Sequence, residues 1–288
     1  MQEFSVIDEI FDHTLSSSYF LSIQFSLDGF SFCTLDPIQN LFIQFKNYEF
    51  DKSDKDYIKS INLFQSEPLL NYQYKKTFIL FQTDKCTLVP SSIFNKESVK
   101  DVLRFTFDDP FMNGENDPFI IHNKIKMADA YNVFSARQEL LRILKQRYSN
   151  VTFLHSTTPF IEANLLEDQR RYGEQQNHIH LSFTKNHFNV IVVENRELKL
   201  SNCFTFRSNQ DIIYYLFYIF DQLKLNIDKT DITIAGEIIE NRTQLSFVKK
   251  YIPKLITEKP EKHFNFSPVF KTVNISRFNN LFNAPICV

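Results

Sequence analysis

A chain of 288 residues is long enough to bury a generous core and to hold two domains rather than one. Its net charge of −2 and pI near 6.4 give no overall attraction for nucleic acid or an anionic membrane surface. A hydrophobic content of 43% against 23% charged residues excludes a disordered chain.

Glycine is scarce. Average usage of about 7% would give roughly twenty in a chain of this length, yet only Gly29, Gly114, Gly173 and Gly236 are present. Phosphate-binding loops need glycine where the backbone takes a positive φ or closely approaches a ligand. These four cannot spell G-x-G-x-x-G or G-x-x-x-x-G-K-[ST], which counts against a nucleotide-hydrolysing enzyme. Cys33, Cys86, Cys203 and Cys287 are far apart, with no C-x-x-C, so reduced thiols in a cytoplasmic protein are expected. The N-terminal MQEFSVIDEIFDH is acidic and lacks the apolar run of a signal peptide. The longest uncharged apolar run, Ile212 to Phe220, is too short to span a bilayer, so no membrane insertion is expected.

In chain order, residues 1–18 read as a leader with a loop at Ser16-Ser17-Ser18. Tyr19 to Phe25 and Phe30 to Asp36 read as strands joined at Leu27-Asp28-Gly29, and Leu41 to Phe50 as a third strand beyond Pro37. Ser53 or Asp54 caps a helix to about Gln65, Thr77 to Gln82 is an apolar strand, and Glu97 to Phe107 is helical. Phe119 to Phe134 reads as an inserted hairpin, Ala136 to Tyr148 as a helix and Asn150 to His155 as a strand. Thr158-Pro159 opens a further helix that ends near Gly173.

The pattern then starts again. Ile179, Leu181 and Phe183 alternate with His180, Ser182 and Thr184, the period of a half-buried strand. Phe188 to Glu194 and Leu198 to Phe206 follow as strands, and Ser208 with Asp211 offers a capping box for a helix to about Lys224. That helix is apolar around most of its circumference, which predicts burial on more than one side. Asp231 to Gly236 is a strand, Thr243 to Leu255 a helix, Phe264 to Val273 a last strand and Ser276 to Phe282 a short helix. An offset of 158 carries Ile23 onto Leu181, Phe25 onto Phe183, Phe30 onto Phe188 and Asp36 onto Glu194. Near the fourth strand an offset of 154 carries Phe78 onto Ile232 and Leu80 onto Ile234. A repeat this long implies two duplicated domains, expected at 1–173, with the insertion near 119–134, and at 174–288.

Three antiparallel strands, a helix, a strand, a helix and a strand describe the ribonuclease-H-like fold. Its duplication over about 20–112 and 178–282 resembles the actin-like ATPase superfamily, which includes actin, sugar kinases and an actin-like pilus-assembly protein. Thr87-Leu88-Val89-Pro90-Ser91-Ser92-Ile93-Phe94 resembles a segment that follows the fourth strand in pilus-assembly and secretion adaptors of that superfamily. The whole chain resembles an uncharacterised bacterial family of unknown function assigned the same fold. The expected fold class is therefore α/β with mixed sheets, as duplicated ribonuclease-H-like domains in an actin-like ATPase architecture.

The resemblance implies Asp-x-Gly-[Ser/Thr] at the first hairpin turn of each active domain, where backbone N–H groups hold phosphate. Here the first turn is Ser26-Leu27-Asp28-Gly29-Phe30 and the second is Thr184-Lys185-Asn186-His187, which has neither Asp nor Gly. The second phosphate loop would start at Ala235-Gly236-Glu237, where the acid repels phosphate. A ribonuclease-H-type nuclease would need carboxylates on its first strand to hold metal ions, and Leu21 to Phe25 and Ile179 to Phe183 contain none. His178, His180 and His187 could converge on a metal across one hairpin, but the first copy has Ser and Gln there, and a polar sheet face is expected instead. Ser91-Ser92 reads as a helix cap rather than a nucleophile. Tyr214, Tyr215 and Tyr218 read as core between the domains, with a cleft or partner surface as the other reading.

We therefore expect no catalytic, cofactor-binding or metal-ligating residues, no cofactor and no enzymatic activity. The expected protein is cytoplasmic, a degenerate actin-like adaptor or assembly factor that binds a protein partner or itself and binds no nucleic acid. The alternative is an actin-like protein holding ATP with Mg²⁺, with Asp28, Gly29 and Gly236 nearest the phosphates.

Overall fold

Alternating apolar side chains set up the first sheet of the computed structural model, which describes residues 2–26, 29–50, 57–83, 85–107, 119–171, 176–252, 254–257 and 263–287. Its strands are β1 (Gln2–Ile7), β2 (Phe20–Ser26), β3 (Gly29–Asp36), β4 (Leu41–Glu49), β5 (Lys76–Phe81) and, beyond the insertion, β9 (Val151–His155). They lie in the order β1-β4-β3-β2-β5-β9, antiparallel from β1 to β2 and parallel from β2 to β9. Leu21, Ile23 and Phe25 of β2 and Ile79 and Phe81 of β5 face a core closed by Ile61 and Phe64 of α1 (Tyr57–Ser66) and by Leu140, Leu141 and Leu144 of α3 (Gln138–Arg147). The other face is also aromatic. Phe42 stacks on Phe266 at 5.2 Å between ring centres and meets Phe282 edge-on at 4.9 Å. The insertion between β5 and α3 holds a separate sheet in the order β6-β8-β7, built from β6 (Cys86–Pro90), β7 (Phe119–Ile125) and β8 (Ala130–Ala136). It packs on α2 (Val99–Thr106) through Val89, Leu103 and Val133.

Two compact units result. The first comprises Met1–Pro159, His263–Val273 and Asn280–Val288, and the second Phe160–Lys262 and Asn274–Asn279. The second holds most of α4 (Thr157–Arg171), then β10 (Asn177–Phe183), β11 (His187–Glu194), β12 (Glu197–Thr205), α5 (Asn209–Gln222), β13 (Thr230–Gly236), α6 (Arg242–Tyr251) and β14 (Leu255–Thr257). Its sheet runs β12-β11-β10-β13-β14, antiparallel up to β10 and parallel after it. That is the strand order of β4-β3-β2-β5-β9. Ile179, Leu181, Phe183, Ile232 and Ile234 face a core shared with Ile212, Leu216 and Ile219 of α5 and Val248 of α6. The capping box at Ser208 forms as expected, with Asp211 N–H donating to Ser208 Oγ and Ser208 N–H donating to Asp211 Oδ2 at 2.9 Å.

Several expectations need correction. The leader is in part the edge strand β1, held on β4 by antiparallel pairing. The offset at the fourth strand is out by one residue. Ile23 pairs with Ile79 just as Leu181 pairs with Ile234, so the correspondence is 155 and not 154. A one-residue slip moves a side chain to the other face of the sheet, and Ile79, not Phe78, lies in the helix-covered core. The expected helix from Thr243 to Leu255 ends at Tyr251, and Leu255–Thr257 pairs in parallel with β13 as the fifth strand. The expected last strand from Phe264 instead contributes only β15 (Asn265–Phe266), which joins β4 of the first unit, before a 3-10 turn at Pro268–Thr272. Ser91 and Ser92 lie in a turn after β6, and α2 starts beyond Ser98. The α1 cap at Ser53 or Asp54 and Gly173 lie outside the described residues.

Candidate functional site

An actin-like protein would hold phosphate at the hairpin turns that follow β2 and β10 and at the end of β13. In the first unit Leu27 and Asp28 lie outside the described residues. Gly29 opens β3 so close to β4 that a Cβ there would stand 2.1 Å from the Tyr48 carbonyl oxygen. That glycine serves strand packing. The following Phe30 turns into the core and packs on Phe25 at 5.2 Å.

In the second unit the turn between β10 and β11 uses the N–H groups of Thr184 and His187 internally. Thr184 N–H donates to the His187 carbonyl at 2.9 Å, and His187 N–H donates to Thr184 Oγ1 at 3.3 Å. Gly236 closes β13 with a φ of 93°, and a Cβ there would stand 2.1 Å from Phe183 O. Its N–H donates to Ser276 Oγ at 3.3 Å. The next residue, Glu237, lies 3.4 Å from Arg277 Nη2. A phosphate arriving here would meet a carboxylate and N–H groups already engaged.

A buried polar cluster stands out in the same unit. His178 and His180 project from one face of the central strand β10, as their i, i+2 spacing dictates. Asp168 reaches them from α4. His178 Nδ1 lies 3.0 Å from Asp168 Oδ1 and His180 Nε2 lies 2.9 Å from Asp168 Oδ2. The three residues are only 2–3% exposed. Burial pushes the Asp168 carboxyl up, but the hydrogen bonds and charges of the two imidazoles outweigh it and hold the carboxyl at about 2. An ionised carboxylate only accepts, so the ring nitrogens donate to it. The outer nitrogens meet β13: His180 Nδ1 is 2.6 Å from Thr233 Oγ1, and His178 Nε2 is 3.7 Å from Asp231 Oδ2. His187, the third histidine of the expected trio, bonds Thr184 in the turn instead. The sequence reading lacked Asp168, whose helix leaves no motif spacing relative to the hairpin.

On α5 burial is confined to the face of Ile212, Leu216 and Ile219, and the expectation of Tyr214 and Tyr218 as core fails. Tyr214, Phe217 and Tyr218 are exposed, and the rings of Tyr214 and Tyr218 stack 6.3 Å apart. Tyr215 is half-buried against Phe204 at 4.4 Å. The four cysteines form no disulfide; Cys33 is buried and the other three are half-buried. Among the described residues no helix is long and apolar enough to cross a membrane.

Two mixed sheets of ribonuclease-H-like strand order make this an actin-like ATPase fold. A protein of unknown function with that fold from Bacteroides thetaiotaomicron is 25% identical and superposes with a TM-score of 0.77, over 94% of this chain and 98% of its own. A chain of a PilM–PilN type IV pilus biogenesis complex is 10% identical with a TM-score of 0.55, over 93% of this chain and 96% of its own. No curated protein matches the sequence. The chain belongs to the family described as protein of unknown function (DUF3822), whose pattern matches residues 8–255.

Proposed function

We propose that this protein is a non-catalytic actin-like adaptor or assembly factor that binds a protein partner or a second copy of itself. The observation that carries this reading is the second-unit phosphate position. The N–H groups of Thr184, His187 and Gly236 are engaged within the protein, and Glu237 occupies the loop that should be free of acid. Exposed Tyr214, Phe217 and Tyr218 supply apolar area of the kind that partners cover. The pilus-biogenesis neighbour shares fold alone, so its partner is not carried over.

The alternative, ATP with Mg²⁺ held near Asp28, Gly29 and Gly236, has against it the packing roles of both glycines. Calorimetric titration with MgATP decides between them. The adaptor reading expects no binding heat and equal capture of a partner from native extract with and without ATP. Micromolar ATP binding that is lost in Asp28→Ala would replace it with the nucleotide reading.

A further inference from the structure

We propose that Asp168, His178 and His180 form a binding site for a divalent transition-metal ion of the zinc type, which clips helix α4 to strand β10. Two imidazoles and one carboxylate are a donor set suited to such ions. Metal–ligand bonds of about 2.0–2.2 Å in a tetrahedral site place neighbouring donors roughly 3.4 Å apart. The two imidazoles stand 3.0 and 2.9 Å from different oxygens of Asp168, and one donor atom from each of the three residues lies within 4.8 Å of the others, so a modest contraction brings the set to that spacing.

The outer nitrogens carry the second argument. A histidine bound to metal through one ring nitrogen characteristically donates its other N–H to a carboxylate or similar acceptor, which fixes the ring and its tautomer. The His180 ring is set for this, and the His178 ring has a carboxylate close to its outer nitrogen, beyond direct hydrogen-bond distance. With metal on His180 Nε2, Nδ1–H faces Thr233 Oγ1 at 2.6 Å; with metal on His178 Nδ1, Nε2–H faces Asp231 Oδ2 at 3.7 Å. Binding then requires that each ring leave its Asp168-facing nitrogen unprotonated and carry its N–H on the outer one. The central strand β10 is paired on both sides, so the two imidazoles start from fixed positions. The first hairpin gave no hint of such a site because Phe20 and Ser22 stand where His178 and His180 do.

The test uses the full chain, stripped of metal with a chelator and titrated with Co²⁺ and then Zn²⁺. One equivalent of Co²⁺ should bind and give the visible absorption of a tetrahedral nitrogen–oxygen site, and Zn²⁺ should displace it with micromolar or tighter affinity. His180→Gln and Asp168→Asn should abolish uptake. Thr233→Val, which removes only the acceptor for His180 Nδ1–H, should weaken Zn²⁺ binding by about tenfold. Absence of Co²⁺ and Zn²⁺ uptake by the wild-type chain overturns the proposal, as does unchanged affinity in folded His180→Gln. Should the ligand variants fail to fold by circular dichroism, the wild-type titration and Thr233→Val still decide it.

Discussion

The strands β2 and β10 hold the same place in two sheets of the same order, and what lies on their two faces differs sharply. On the helix-covered face they agree: Leu21, Ile23 and Phe25 answer Ile179, Leu181 and Phe183, all buried. On the opposite face the paired positions Phe20–Lys76 and Ser22–Phe78 of β2 and β5 become His178–Asp231 and His180–Thr233 of β10 and β13. The first unit solves that face with aromatic contact, Phe20 meeting Phe78 edge-on at 6.0 Å and Lys76 Nζ lying 5.2 Å over the Phe78 ring. The second puts two imidazoles there and must bring a carboxylate from α4 to satisfy them. One lattice of backbone hydrogen bonds thus accepts either chemistry, provided that every buried polar group finds a partner.

The largest effect should come from removing that partner. Asp168→Ala leaves two buried imidazoles without their carboxylate and should cost about 3–5 kcal/mol of stability in urea unfolding. Converting the second face to the chemistry of the first should undo most of this. Asp168→Leu combined with His178→Phe and His180→Ser removes the buried carboxylate together with both imidazoles, and buried ion pairs replaced by apolar groups are often near neutral, so we expect recovery to within about 2 kcal/mol of wild type. A triple variant as unstable as Asp168→Ala would show that the two faces are not interchangeable.

The smallest effect lies in the first unit, where Lys46 of β4 meets the buried Glu67 just beyond α1. Lys46 Nζ and Tyr48 Oη both donate to the buried Glu67, at 2.8 and 2.5 Å. Burial pushes the Glu67 carboxyl up, but the hydrogen bonds from Lys46 and Tyr48 win and hold it below the usual glutamate value. A lowered folded value contributes stability that is present above the unfolded pKa, about 4.3. That contribution is lost as pH falls through the folded value. Burial first, then the Glu67 hydrogen bond, pushes the Tyr48 hydroxyl up to about 12. A raised folded value contributes stability that is present below the unfolded pKa, about 10, and is lost as pH rises towards the folded one. Unfolding midpoints followed against pH should therefore decline in acid and again above about 10. Glu67→Gln should flatten the acid limb, and an unchanged limb would assign it to other groups.

Much of the fold was written locally. Period-2 alternation marked β10, the Asp28-Gly29 turn marked the hairpin of β2 and β3, Ser208 with Asp211 marked the start of α5, and the scarcity of glycine shaped the expectation about phosphate loops. These signals lie within a few residues of the element they specify, so sequence alone determined them. Tertiary structure decided the remainder. Whether Phe78 or Ile79 faces the core depended on register against β2, which no residue inside β5 encodes. The placement of Asn265–Phe266 on β4 followed from Phe42 and Phe282, aromatic partners far apart in the chain. The exposure of Tyr214 and Tyr218 on an apolar helix was decided by α5 packing on the sheet through Ile212, Leu216 and Ile219. The Asp168–His178–His180 cluster belongs to this second class. A hairpin can put two histidines on one face, but the cost of burying them is met only where a distant helix supplies the carboxylate, and that meeting exists only in the folded chain.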